Sequence, residues 1–202
     1  MNRIITTSLL SVALMGSSGF AAGQGFQQAP AVRPYLGAGV GLSRAKDFCD
    51  SADGSPVSCD KEDVAYKGLA GVRIGSLFGL EGGYTNLGEA TQSLAGADGN
   101  VKVDGYQAQA GVYLPANERV SFFAKGGVFF WNLDANLVAA DTSISHRNSN
   151  GTDPVGSLGI EGALSDNVRV QLQYDRYFNV GKKENTGESD VDVIGVNAVV
   201  LF

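Results

Sequence analysis

The chain has 202 residues, among them 28 glycines, 15 basic and 21 acidic residues, one histidine and two cysteines. That length suits a single domain with a sizeable core, and glycine stands at about twice its average usage. The acidic excess argues against nucleic acid as a partner, since phosphate must be neutralised by Lys and Arg; one histidine and two cysteines exclude most Cys/His metal sites, so neither metal nor cofactor is expected.

The N-terminus reads as an export signal. Asn2-Arg3 is a short basic region, residues 4–15 are apolar but too few to span a bilayer as a helix, and small residues follow. Residues 1–22 are assigned to the signal, with cleavage near Ala21 or Ala22, and no cysteine there to take a lipid. Residues 23–33 form a periplasmic lead-in, and 34–202 the folded domain.

From there the chain alternates with a period of two in eight segments, 35–43, 64–74, 77–85, 103–114, 120–131, 155–164, 168–178 and 193–202. The first sets Leu36, Ala38, Val40 and Leu42 against Gly37, Gly39 and Gly41; the second sets Tyr66, Ala70, Val72 and Ile74 against Lys67, Gly71 and Arg73. The later ones set apolar rows against Glu81 and Gly83, Gln107 and Gln109, Lys125 and Gly127, Ser157 and Glu161, Arg169, Gln171, Gln173 and Asp175, then Gly195 and Asn197. Two architectures fit one apolar and one charged face: a soluble sandwich with the apolar face inside, or a membrane barrel with it outside.

The connections decide. Gly75-Ser76, residues 115–119 and Ser165-Asp166-Asn167 are short, whereas 44–63, 88–102, 132–153 and 180–192 are long. Alternating short turns and long loops match the two sides of a membrane. Aromatic residues agree: Tyr66, Tyr84, Tyr106, Phe130 and Tyr174 lie on the apolar face toward the long loops, and Phe78, Phe122 and Phe202 toward the short turns. The expected fold is all-β, an eight-stranded antiparallel up-and-down transmembrane β-barrel.

Pro34-Tyr35-Leu36-Gly37-Ala38-Gly39, Gly79-Leu80-Glu81-Gly82-Gly83-Tyr84, Phe123-Ala124-Lys125-Gly126-Gly127, Gly159-Ile160-Glu161 and Val200-Leu201-Phe202, in this order and spacing, resemble the OmpA family of small outer-membrane barrels. The resemblance covers about residues 33–202 and implies the outer membrane of a Gram-negative bacterium, reached through the periplasm. It implies an assembly signal in Phe202, Val200 and Ala198, read by the barrel assembly machinery. It also implies a salt-bridge plug, sometimes described as a gate, at Glu81, Lys125 and Glu161; it departs from the family pattern at Gln171, where an arginine is expected, with Arg73 and Arg169 as substitutes nearer the periplasm. With its last residue at Phe202, the chain is expected to lack the peptidoglycan-binding domain of longer members.

Read from their depth alone, Glu81, Lys125 and Glu161 stand four to six residues from short turns, near mid-depth, with Lys125 between the two carboxylates. Cys49 and Cys59 share one exported loop, so a disulfide is expected. The long loops are all acidic: 3 basic against 6 acidic residues in 43–63, 1 against 3 in 89–104, 1 against 3 in 132–153 and 2 against 4 in 179–192. His146 and Ser149 are the only local nucleophile and base, but they are three apart in a polar stretch, 143–150, that reads as loop, so no enzyme is expected. The functional reading is a monomeric structural barrel in outer-membrane lipid, with loops for an extracellular or host ligand. The alternative is a narrow, low-conductance porin-like channel.

Overall fold

A computed structural model describes residues 31–45, 58–60, 62–94, 97–139, 144–182 and 187–202. The strands are β1 (Val32–Ala45), β2 (Ser58–Asp60), β3 (Glu62–Ile74), β4 (Phe78–Leu94), β5 (Ala97–Pro115), β6 (Val120–Ala139), β7 (Ile144–Ala163), β8 (Val168–Lys182) and β9 (Gly187–Leu201). All pairings are antiparallel: β1 pairs with β3, each strand from β3 to β8 pairs with the next, and β1 closes the wall against β9. Eight strands make the barrel; the short β2 adds to β4 above β3.

Cross-strand partners followed round the wall from Tyr35 run through Gly71, Glu81, Gln109, Gly127, Val155, Tyr177 and Val191 to Ala45, ten residues further along β1. A stagger of that size with eight strands tilts each strand by about 40° and leaves an interior that side chains can fill. Each step round the wall therefore also climbs it.

Burial is inverted relative to a soluble protein. Leu36, Val40, Leu80, Leu114, Leu158 and Ile194 are exposed outside, while Lys67, Glu81, Lys125, Glu161, Gln171 and Asp175 are buried inside. Only a hydrocarbon surround makes that arrangement favourable. Tyr66, Tyr106 and Phe130 on the upper rim, and Phe78, Phe122 and Phe202 on the lower, are exposed to it.

The strands run well beyond the bilayer on the long-loop side. The stretches 88–102 and 132–153, expected as loops, are mostly paired strand, and 143–150 belongs to β7 from Ile144 onward. Few apolar residues alternate in these stretches, so no period of two marks the strands in the sequence. β1 likewise starts at Val32, two residues inside the expected lead-in, where Val32 pairs with Ile74.

Among the described residues two bulges break the alternation. In β4 the register shifts between Asn86 and Glu89. Gly88 has φ +89°, its N–H donates to Asn86 Oδ1 (2.9 Å), Glu89 N–H donates to Asp63 Oδ2 (2.6 Å), and the Ser43 hydroxyl donates to the Leu87 carbonyl (2.6 Å). In β8 the shift lies between Tyr177 and Val180, with Asn179 at φ 54° and its N–H on Asp190 Oδ1 (3.1 Å). Each bulge swaps the facing of the residues beyond it: Glu89 points out and Val180 in.

Candidate functional site

Among the described residues the interior holds three ion pairs, each joining strands that are not neighbours. Lowest, Arg73 of β3 bonds Glu161 Oε2 of β7 (2.5 Å) with its guanidinium over the Tyr113 ring, 3.2 Å from the centroid. Gln171 donates to the same carboxylate oxygen (2.8 Å). Tyr35, Leu69, Val199 and Leu201 form an apolar cluster toward the periplasmic side.

Midway, Lys125 of β6 bonds Glu81 Oε2 of β4 (2.7 Å), and the Tyr35 hydroxyl donates to the same oxygen (2.9 Å). Lys67 of β3 pairs with Asp175 of β8. Ser157 donates to Asp175 Oδ1 (2.5 Å), and Gln109 donates to Ser157 (2.9 Å). Gln173 ties the two pairs together: its amide donates to Asp175 (2.5 Å), while its carbonyl accepts from Lys125 (3.4 Å) and Asn197 (3.0 Å). Charges and amides so far from water are tolerable only because they satisfy one another.

An apolar layer roofs this polar layer on the extracellular side. Phe129, Trp131, Leu133, Val155, Tyr177, Val180, Val191 and Val193 are buried together, with Ala65 and Leu87. Phe129 and Tyr177 meet edge to face at 4.7 Å. Tyr177 donates down to Gln107 (3.0 Å), and the indole of Trp131 donates to Asp153 (2.5 Å). The sequence carries a signal for this roof: Phe129 and Trp131 have the same parity as Lys125, and Tyr177 that of Asp175.

The expected network divides. Glu81 and Lys125 meet, but Lys125 does not stand between two carboxylates: Glu161 is held by Arg73 and Gln171. The stagger explains this, because the register partner of Lys125 is Ser157, four residues higher on β7 than Glu161. Depth counted from the turns alone ignores that climb. Arg169 forms no ion pair among the described residues, and its Nε is buried without a partner. The Lys67–Asp175 pair, absent from the sequence reading, is foreshadowed there as opposite charges on the inner face.

Ala198 and Val200 lie on the lipid face of β9, Phe202 follows its end on the same face, and the Phe202 N–H donates to the Pro34 carbonyl (2.9 Å). His146 and Ser149 are strand residues, with backbone partners Asn136 and Leu133. The export signal and the Cys49–Cys59 pairing lie outside the described residues.

Comparison with known proteins gives a consistent picture. The model of the OmpA-like transmembrane domain family matches residues 30–202. Outer membrane protein A of Escherichia fergusonii is 25% identical over 154 residues, which are 76% of this chain and 43% of the relative. The chain thus spans less than half the length of that relative. Two solved structures share the fold. Ail, the attachment invasion locus protein of Yersinia pestis, in complex with the heparin analogue sucrose octasulfate, has a TM-score of 0.57 at 16% identity over 85% of this chain and 99% of its own. Neisserial surface protein A has a TM-score of 0.58 at 15% identity over 84% and 97%.

Proposed function

Because this chain belongs to the OmpA-like transmembrane domain family and resides in the outer membrane of a Gram-negative bacterium, we propose that it is a structural barrel with a static plug, whose acidic hairpins serve recognition outside the cell. The observation that carries the plug is the stack in the lumen: three cross-barrel ion pairs under a layer containing Phe129, Trp131 and Tyr177. A permeating ion would have to separate pairs whose loss of one partner costs about 3–5 kcal/mol each, and then cross an apolar roof. The hairpins support recognition by their charge. Each of the four long connections is net acidic, which favours cationic partners and disfavours polyanions such as the sulfated sugar analogue bound by Ail.

Two measurements test this reading. In planar bilayers the purified protein should give no resolved conductance steps; discrete single-channel steps would replace the plug with the narrow-channel alternative. Cells expressing barrels with the 88–102 and 132–153 hairpins shortened should adhere less to matrix proteins than cells with the intact barrel. Equal adhesion would remove the recognition role.

A further inference from the structure

Above the bilayer the barrel wall is split. β7 pairs with β6 along its length, from Ile144↔Val138 to Gly162↔Val120, but with β8 only from Val155↔Tyr177 downward. The split has a local cause. At Asn179 (φ 54°) and Gly181 (φ 113°) β8 leaves the extended conformation at its bulge, and Val180 is buried in the apolar roof with Val191. Pro154, which has no N–H to offer, stands where the two strands part.

The ladder fixes which backbone groups this leaves open. The Ala163 N–H donates to the Arg119 carbonyl of the β6 side, so odd-numbered residues of β7 bond toward β6. Even-numbered residues bond toward β8 wherever it is alongside. Thr152, Asn150 and Asn148 continue that series upward, with exposed side chains and no strand beside them among the described residues. Their N–H and C=O groups therefore point sideways into the notch.

We infer that this edge of β7, centred on Asn150, binds an extended basic segment of a partner polypeptide as an added strand. The inference rests on the recognition role proposed above and names its partner class. An open row of alternating donors and acceptors is matched by another extended backbone. Basic character follows from the flanks, since residues 132–153 hold 1 basic and 3 acidic residues and 179–192 hold 2 and 4. A second copy in the same membrane does not fit. A two-fold axis along the membrane normal would cross two strands tilted by about 40° at roughly a right angle, too far apart in direction to form a ladder.

The test uses the mature protein folded in detergent and a labelled peptide of alternating lysine and valine, about ten residues long, followed by fluorescence anisotropy. The peptide should bind saturably. The same peptide N-methylated along one edge should bind about tenfold more weakly or worse. Asn150→Pro removes one sideways N–H while sparing the β6 ladder; it should weaken binding to a similar degree, whereas Asn150→Ala should bind as wild type does. A gel shift between unheated and boiled samples confirms that each variant is folded. If N-methylation and Asn150→Pro leave affinity unchanged, the acidic surface attracts cations without strand addition: the edge inference is overturned and the recognition role stands. If the peptide does not bind at low salt, the edge inference is also overturned, and the adhesion assay alone decides the recognition role.

Discussion

Replacing Lys125 by Met tests the plug at its centre. Lys125 Nζ lies 2.7 Å from Glu81 Oε2, and the two side chains are 1% and 2% exposed. Methionine keeps most of the volume, so the packing penalty stays below about 1.5 kcal/mol. The substitution leaves a buried Glu81 carboxylate with the Tyr35 hydroxyl as its one remaining donor among the described residues. Stranding one partner of a buried pair costs about 3–5 kcal/mol. With a urea dependence of about 2 kcal/mol per molar, the unfolding midpoint in lipid vesicles should fall by roughly 2 M. The double variant Lys125→Met/Glu81→Gln removes both charges and leaves the amide able to accept from Tyr35, so it should regain most of the loss. Arg73→Met should cost less, because Gln171 still holds Glu161 and the arginine side chain is already 11% exposed. A Lys125→Met barrel with the wild-type midpoint, or a double variant no better than the single, would refute the claim that this pair is desolvated and mutually dependent.

Adjacent glycines on opposite faces should respond very unequally. A Cβ on Gly127 would sit 1.9 Å from the Ala108 carbonyl oxygen, whereas one on Gly126 would meet nothing within 4 Å. Gly127→Ala should therefore destabilise by about 1–3 kcal/mol and Gly126→Ala by less than about 0.5 kcal/mol, read from urea midpoints; equal effects would mean the two faces are misassigned. Deleting Phe202, which is 65% exposed on the lipid face, should lower the outer-membrane level in fractionated cells several-fold while the purified variant still refolds in detergent. Unchanged cellular levels would count against an assembly signal at this residue.

Where the bilayer imposes a rule, the sequence spells out the structure. The parity of Leu36, Tyr66, Leu80, Tyr106 and Ile194 against Lys67, Glu81, Gln107 and Asn197 is forced by hydrocarbon on one side and a packed lumen on the other, and it fixes the facing of every strand. The expected strands end at Thr85 and Phe178, and the bulges at 86–89 and 177–180 are where parity breaks. Beyond them, and in 97–102, 132–139 and 144–154, the strands continue past the bilayer, which imposes its alternation only on the segments it surrounds. Ion-pair partners are harder to read because pairing depends on the stagger between strands, which no single segment encodes. The roof of Phe129, Trp131 and Tyr177 is harder to read for a different reason: the charged residues and glycines that mark the inner face elsewhere give way there to aromatics, which an eight-stranded lumen is narrow enough to need as filler.

The glycines and the charges together explain why this filling is unique. Large inward side chains lie over glycines of the next strand: a Cβ on Gly71 would strike the Tyr35 ring at 2.5 Å, one on Gly159 the Phe123 ring at 2.4 Å, and one on Gly151 the Trp131 ring at 2.4 Å. Big and absent side chains thus alternate round the wall, and only one register brings each pair together. The ion pairs penalise the neighbouring registers. They link β3 with β8, β4 with β6 and β3 with β7, so they report on strands that share no hydrogen bonds. Slipping β3 by one residue would turn both Lys67 and Arg73 toward lipid, at up to about 2–4 kcal/mol each near the midplane, and would leave Asp175 without its lysine and Glu161 without its arginine. A buried pair adds little net stability over an apolar substitute, but it makes the misregistered barrel far worse than the correct one. The same residues that close the lumen therefore specify how the barrel closes.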